Sequence, residues 1–320
     1  MVELPQVLVL RPVLLLKMFE KQFQSKFSFL KAWESPMPTT LFLKTHAQSV
    51  KAILCTAGTP ITSDVLSHLP AVQLVVTENT GVDHIDLQEC WRLKISVTNA
   101  ATVFCEDVAD MGVGMLLAVL RRICSDDRFL RGGLWPNSGD IPLGSKLGGK
   151  RVGIVGLGSI GSKVGKRLEA FGCNISYTSR KKKSETPYLF YPTVHELASN
   201  CNVLILCCSL TDQTRHMINK EVMAALGKEG IIINIGRGPI IDEKELVKCL
   251  LEGQIAGAGL DVFENEPYVP KELFGLENVV LSPHRAAFTE EAILNAFQLA
   301  VANLEAFFSG KPLLSPVINE

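Results

Sequence analysis

The sequence predicts an α/β protein built on parallel sheets, and three observations predict it. Strand and helix signals alternate nearly throughout the 320 residues, as strands joined by crossover helices require. Most strand candidates are continuous apolar runs, the mark of strands covered on both faces. One of these runs leads directly into glycines at G-x-G-x-x-G spacing and then into a helix.

Taken in order, residues 7–10, 52–55 and 74–77 read as strands of a first unit, with a first helix over 13–23. Pro12, the Gly58-Thr59-Pro60 turn and Pro70 punctuate this unit. Residues 106–122 read as a long, mostly apolar helix buried against another element or subunit, and 131–149, rich in Gly and Pro, as a connecting loop. A second unit begins at Lys150, with strands at 152–155, 174–177, 203–208, 231–235, 257–260 and 279–281. A long amphipathic helix over 289–308 is stopped by Gly310 and Pro312. The pattern alone yields two α/β units with a boundary near residue 100 and does not assign the last helix to either.

Composition narrows the function classes. A chain that is 47% hydrophobic and 20% charged supports sizeable cores, and its net charge of −1 gives no electrostatic case for nucleic acid or an anionic membrane. Small anionic substrates must therefore be attracted by local sites. The apolar segment 111–120 is too short to span a bilayer. Nine cysteines, scattered without C-x-x-C pairs, read as free thiols in a reducing compartment and not as disulfides or a zinc site. Cys207 and Cys208 lie within the apolar run 203–208, as small buried residues do. The first residues carry no signal-peptide pattern and the last four, Val317-Ile318-Asn319-Glu320, are not a peroxisomal address, so the expectation is cytoplasmic.

The stretch 151–183 carries the strongest functional signal. In Gly156-Leu157-Gly158-Ser159-Ile160-Gly161, the first glycine permits a tight turn, the second lets backbone approach a pyrophosphate, and the third lets helix pack on strand. The helix beginning at Ser159 and Ile160 then points free N–H groups at the phosphates. The strand 174–177 ends where dinucleotide sites choose their cofactor. NAD sites usually place Asp or Glu there, whereas this chain offers Ser179, Arg180 and Lys181, then Lys182 and Lys183. Arg and Lys attract a 2′-phosphate, so the expected cofactor is NADPH. NADH stays possible, because Glu185 is close enough in sequence to reach a ribose hydroxyl and charge runs are often only solvated.

Three consecutive strand ends carry candidate chemistry: Arg237 after 231–235, Asp261 and an acidic cluster after 257–260, and His284 after 279–281. Ligands of open parallel sheets gather at such ends. His84 lacks further metal ligands at useful spacing, and no metal is expected. His46, His68, His195 and His216 read as surface residues.

An ordered set of motifs resembles the D-2-hydroxyacid dehydrogenase family, and within it the plant glyoxylate, hydroxypyruvate and hydroxyphenylpyruvate reductases. The motifs are NTGVDHID at 79–86, GLGSIG at 156–161, CSLTDQT at 208–214, INIGRG at 233–238, AGLDVFENEP at 258–267 and SPH at 282–284. The resemblance covers nearly the whole chain. It implies two Rossmann-like doubly wound parallel-sheet domains with a cleft between them. The substrate domain would be discontinuous, 1–99 with 288–320, and the dinucleotide-binding domain would be 100–287. It implies that Arg237 holds the substrate carboxylate and keto oxygen, that His284 is the general acid, and that Glu266 pairs with His284 and raises its pKa. Backbone N–H groups of Thr80 and Gly81 would grip the carboxylate. Ser209, Ile235 and Asp261 would line the cofactor, Asp261 near the nicotinamide carboxamide, with Thr214 on the phosphate side. Domain closure would exclude water, and the assembly would be a homodimer through the cofactor domain.

The implied activity is NADPH-dependent reduction of small 2-keto acids, glyoxylate or hydroxypyruvate, to 2-hydroxy acids. The alternatives are a hydroxyphenylpyruvate reductase and a dinucleotide-sensing regulatory protein on the same fold. Two segments depart from the family pattern. Arg285-Ala286-Ala287-Phe288 lacks a serine hydroxyl often found near the substrate, and Cys105 stands in place of a threonine that contacts cofactor. These departures bear on substrate preference and cofactor affinity, not on reaction class.

Overall fold

The computed structural model describes residues 4–137 and 142–318. These fall into two compact units, divided after Phe104 and again after Ala287, the first unit holding both the opening and the closing described segments. The expected loop over 131–149 lies partly, and the C-terminal pair 319–320 wholly, outside the described residues.

The first unit holds five parallel strands: β1 (Gln6–Val9), β2 (Ser28–Lys31), β3 (Ala52–Cys55), β4 (Leu74–Thr77) and β5 (Ser96–Thr98), in the order β2-β1-β3-β4-β5. β3 and β4 are buried along their whole length, as their unbroken apolar runs require. β2 and β5 escape sequence reading because each edge strand carries polar residues, Ser28 and Lys31 in one and Ser96 and Thr98 in the other, that break the apolar run.

The single helix expected over 13–23 is instead two, Leu14–Met18 and Glu20–Gln24. The chain breaks at Phe19, whose ring stacks on Phe297 with centroids 4.3 Å apart, while Phe23 meets the same ring edge-on at 4.9 Å. Phe297 belongs to the helix Glu290–Phe308, which packs on β4 and is capped by Thr289, whose Oγ1 accepts from the Ala292 N–H at 3.1 Å. The buried Asn303 of that helix accepts from the Leu314 N–H at 2.9 Å and donates to Ser315 Oγ at 3.0 Å. This holds the C-terminal segment beside β5, where Thr98 bridges Pro316 and the sheet edge is covered.

The second unit holds β6 (Arg151–Val155), β7 (Asn174–Thr178), β8 (Leu189–Phe190), β9 (Val203–Leu206), β10 (Ile231–Asn234), β11 (Gly257–Leu260) and β12 (Val279–Leu281). Its order is β12-β11-β10-β9-β6-β7-β8, all parallel, so the strand order reverses at β6. That reversal is the topological switch point at which doubly wound sheets bind ligands. β9 stops at Leu206, so Cys207 and Cys208 follow the strand and are half-buried, not core residues within it.

The expected helix over 106–122 runs Cys105–Leu120 and ends before Arg122, whose left-handed φ of 57° opens a separate helix, Ile123–Arg131. The first of these lies tight on the sheet. A Cβ built on Gly112 would stand 2.8 Å from Ile235 Cδ1, and one on Gly259 would stand 3.2 Å from Met115 Cβ. Among the described residues, no helix is long and apolar enough to cross a membrane.

Candidate active site

Register brings the strand ends of the second unit together. Thr178, Val155, Leu206, Asn234, Leu260 and Leu281 pair in one row across β7, β6, β9, β10, β11 and β12. The residues that follow each therefore leave the sheet along one edge: Ser179-Arg180, Gly156, Cys207–Ser209, Ile235–Arg237, Asp261 and Ser282–His284. The sequence signals, separated by over a hundred positions, become neighbours because parallel strands all end on the same side.

The glycine loop fits a dinucleotide. Gly156 has φ 94°, and a Cβ there would lie 2.7 Å from the Cys208 Cα. A Cβ on Gly161 would collide with the Gly156 carbonyl oxygen. At Gly158, by contrast, a Cβ meets nothing within 4 Å. Two glycines thus serve internal packing, and the middle one faces open space in front of the helix Ser159–Ala170. That helix has no side-chain cap, so its first N–H groups remain for an anion. Ser159 is exposed and Ile160 half-buried at this start.

At the end of β7, Ser179 Oγ donates to the Lys181 carbonyl at 2.6 Å, which folds the basic run into a turn with Arg180 and Lys181 exposed. Thr214 shapes the segment after β9: its hydroxyl donates to the Ser209 carbonyl at 2.8 Å and accepts the Thr211 N–H at 2.7 Å. Its action on a ligand therefore passes through the form of the 209–214 loop. Ile235 directs its side chain onto Gly112, leaving its backbone for any ligand.

Arg237, Glu266 and His284 come together with supporting groups that the sequence reading did not single out. His284 Nδ1 lies 2.8 Å from Glu266 Oε2, and Glu266 Oε1 accepts the Phe263 N–H at 3.0 Å. Burial pushes the Glu266 carboxyl up, but the His284 hydrogen bond, the Phe263 N–H and the charges of His284 and Arg237 outweigh it and hold the carboxyl below its ordinary range. With Nδ1 engaged, a proton can be presented to a ligand from Nε2. Arg237 is half-buried and donates from Nη1 to the Gly236 carbonyl at 2.8 Å. Its loop is shaped by Asn234, fully buried, which donates to the Arg237 carbonyl at 3.0 Å and accepts the Gly236 N–H at 3.1 Å.

Asp261 is 1% exposed, and its carboxylate accepts from Ser282 Oγ at 2.5 Å, the Arg285 N–H at 2.8 Å and the Ala286 N–H at 3.0 Å. Three of its acceptor positions thus organise the loop that carries His284, a role that sequence reading missed. The available signal was local: the polar Asn234 ends β10 and the polar Asp261 directly follows β11, where apolar character would otherwise continue.

In the first unit, the Thr80 carbonyl accepts from Asn99 Nδ2 at 2.7 Å, and its hydroxyl donates to the Ala101 carbonyl at 3.2 Å. What Thr80 and the half-buried Gly81 offer a ligand is therefore backbone N–H. Glu78 anchors the start of this loop by accepting the Leu15 N–H at 3.1 Å, and burial pushes its carboxyl up. His84 Nε2 lies 3.2 Å from Thr77 Oγ1 and 3.8 Å from Cys55 Sγ, and burial pushes that thiol up to about 12. Among the described residues, no group of three His, Cys, Asp or Glu is placed to hold a metal.

Residues 113–286 match the family described as D-isomer specific 2-hydroxyacid dehydrogenase, NAD binding domain. The chain is 55% identical over 318 residues, 98% of each chain, to the glyoxylate/hydroxypyruvate reductase HPR3 of Arabidopsis thaliana. It is 48% identical over 299 residues to the hydroxyphenylpyruvate reductase of Plectranthus scutellarioides, covering 93% of this chain and 95% of that one. Among solved structures, the NADPH-dependent glyoxylate/hydroxypyruvate reductase SmGhrB of Sinorhizobium meliloti, in complex with NADP and malonate, superposes with a TM-score of 0.90. It shares 34% identity and covers 98% of this chain and 96% of its own.

Proposed function

The chain belongs to the D-isomer specific 2-hydroxyacid dehydrogenase family, and we propose that it reduces small 2-keto acids, glyoxylate or hydroxypyruvate, to 2-hydroxy acids with NADPH. One observation carries the reading: a His284–Glu266 pair at 2.8 Å leaves the same sheet edge as Arg237 and the glycine loop.

A reduced nicotinamide, when bound, supplies the hydride. The chain's own groups do the rest. Arg237 takes the substrate carboxylate and keto oxygen with its planar fork of donors and offsets charge gathering on that oxygen. His284 delivers a proton from Nε2 to the same oxygen, and Glu266, ionised and hydrogen-bonded at Nδ1, stabilises the charged ring before transfer and fixes its orientation. Asp261 and Asn234 hold the two loops in place. The first unit acts as the substrate domain, with the N–H groups of Thr80 and Gly81 as carboxylate donors. Ser209, Thr214, Ile235 and Asp261 line the cofactor through the loops and backbone they shape. Gly156, Gly158, Ser159, Ile160 and Gly161 form the pyrophosphate cradle.

Ser179, Arg180 and Lys181 form the 2′-phosphate site, and NADH is the weaker alternative. This preference is supported by the basic turn after β7 and by the NADPH dependence of the Sinorhizobium relative. A hydroxyphenylpyruvate activity is the second reading, favoured by the similarity to the Plectranthus enzyme. The free thiols support a cytosolic setting, and the apolar helix Cys105–Leu120 supports a homodimer.

The test is loss of cofactor absorbance with NADPH or NADH against glyoxylate, hydroxypyruvate and hydroxyphenylpyruvate. No turnover with any pair sinks the reading. His284→Ala is expected to act chiefly on kcat, and Arg237→Ala on KM as well.

A further inference from the structure

His216 joins two loops that carry different parts of the site. Its backbone is left-handed, φ 50°, a state that a non-glycine residue keeps only where its surroundings impose it. Its amide N–H donates to the Pro239 carbonyl at 2.8 Å, in the segment after β10 that bears Arg237. Its Nε2 lies 2.8 Å from Glu264 Oε1, in the segment after β11 that bears Glu266. Glu264 is gripped a second time from below, where its N–H donates to Glu243 Oε2 at 3.0 Å. Glu243 is only 8% exposed and begins the helix Glu243–Leu251. The two segments also meet directly, since a Cβ on Gly238 would collide with the backbone of Phe263 and Glu264.

We propose that His216, with Glu243 behind Glu264, is a positioning residue that holds Arg237 and Glu266 at a fixed separation. The route is short. Phe263 and Glu264 are adjacent, the Phe263 N–H binds Glu266 Oε1, and Glu266 Oε2 holds the His284 ring. A shift of the 263–264 backbone therefore moves the imidazole, and it reaches the Arg237 loop where Gly238 packs against that same backbone, while the backbone bond from His216 to Pro239 stays in place. A misplacement of about 1 Å between reacting groups can cost on the order of a hundredfold in rate. An ordinary exposed ion pair would have no such consequence. This inference rests on the reductase reading of Arg237, Glu266 and His284.

The test compares two variants of the full chain. His216→Phe keeps a ring and removes the donor, whereas His216→Gln keeps an N–H donor. Steady-state rates with NADPH and hydroxypyruvate are measured beside amide hydrogen exchange over residues 237–240 and 262–266. For His216→Phe, kcat/KM is expected to fall about tenfold, through both a lower kcat and a higher KM for the keto acid. Exchange over 262–266 is expected to rise about tenfold or more. The NADPH Kd from fluorescence titration should stay within about twofold, and His216→Gln should recover most of the loss. Unchanged exchange, unchanged kcat/KM, or a glutamine variant no better than phenylalanine would overturn the proposal. If the unmodified protein reduces no keto acid, the reductase reading fails on its own. The exchange measurement still decides whether His216 fastens the two loops.

Discussion

The backbone N–H of His284 donates to the Asp261 carbonyl at 2.7 Å, and His284 itself sits at φ 53°. A left-handed histidine costs roughly 1–2 kcal/mol, so something must hold it there. The Asp261 side chain does so from the next strand, by binding Ser282, Arg285 and Ala286 on both sides of the histidine. The imidazole is thus aimed by a residue distant in sequence. The Arg285-Ala286 departure from the family pattern leaves this hold intact, because both contribute backbone N–H groups.

Replacing Asp261 should therefore damage stability and chemistry together. Asp261→Ala leaves three donors without their acceptor and is expected to lower unfolding free energy by about 3 kcal/mol or more, with a large fall in kcat. Asp261→Asn, which keeps one acceptor oxygen, should cost less. Urea unfolding measures the first effect, and a loss below about 1 kcal/mol for the alanine variant would contradict this account.

Glu266 gives a stability effect with a defined sign in pH. Its folded carboxyl sits below the ordinary range because His284, Phe263 and Arg237 outweigh burial. A depressed acid contributes fully above the unfolded value, about 4.3, and loses that contribution as pH falls through the folded value. The Tm advantage of the unmodified protein over Glu266→Gln should shrink as pH falls below that value. An advantage that grew with acidity would refute the pairing.

Two glycines of one motif should separate folding from binding. Gly156→Ala places a Cβ at φ 94° against Cys208 and is expected to cost about 2 kcal/mol or more in stability. Gly158→Ala enters open space at φ −88°, so its Tm should barely move while its NADPH Kd rises. Equal effects on Tm would show that Gly158 also serves packing.

Arg180→Ala tests the cofactor choice. The NADPH KM should rise about tenfold, equivalent to one charge-assisted contact, with the NADH KM unchanged. Equal changes for both cofactors, or none, would remove Arg180 from the 2′-phosphate site.

Legibility follows the range of the forces involved. β3, β4, β6 and β11 could be read because burial on both faces demands an unbroken apolar run, and the glycine loop because its constraints are local backbone ones. Arg237 and His284 were visible as polar residues just past apolar strands. Asn234, His216 and Glu243 were not, since each acts through a partner on another segment. An isolated polar residue looks the same whether it is solvated or holding a loop.

By itself, then, the sequence determined the parallel α/β class, the dinucleotide motif and the residue types available at each strand end. Tertiary structure alone decided which of them meet. Parallel register from Val155 to Leu281 puts the loops on one edge. Phe297, by stacking on Phe19, gives the last helix to the first unit and helps break the helix expected over 13–23. The physical reason is the same in each case. Local propensity sets what a segment can form, whereas burial and hydrogen-bond satisfaction between distant segments set where its side chains end.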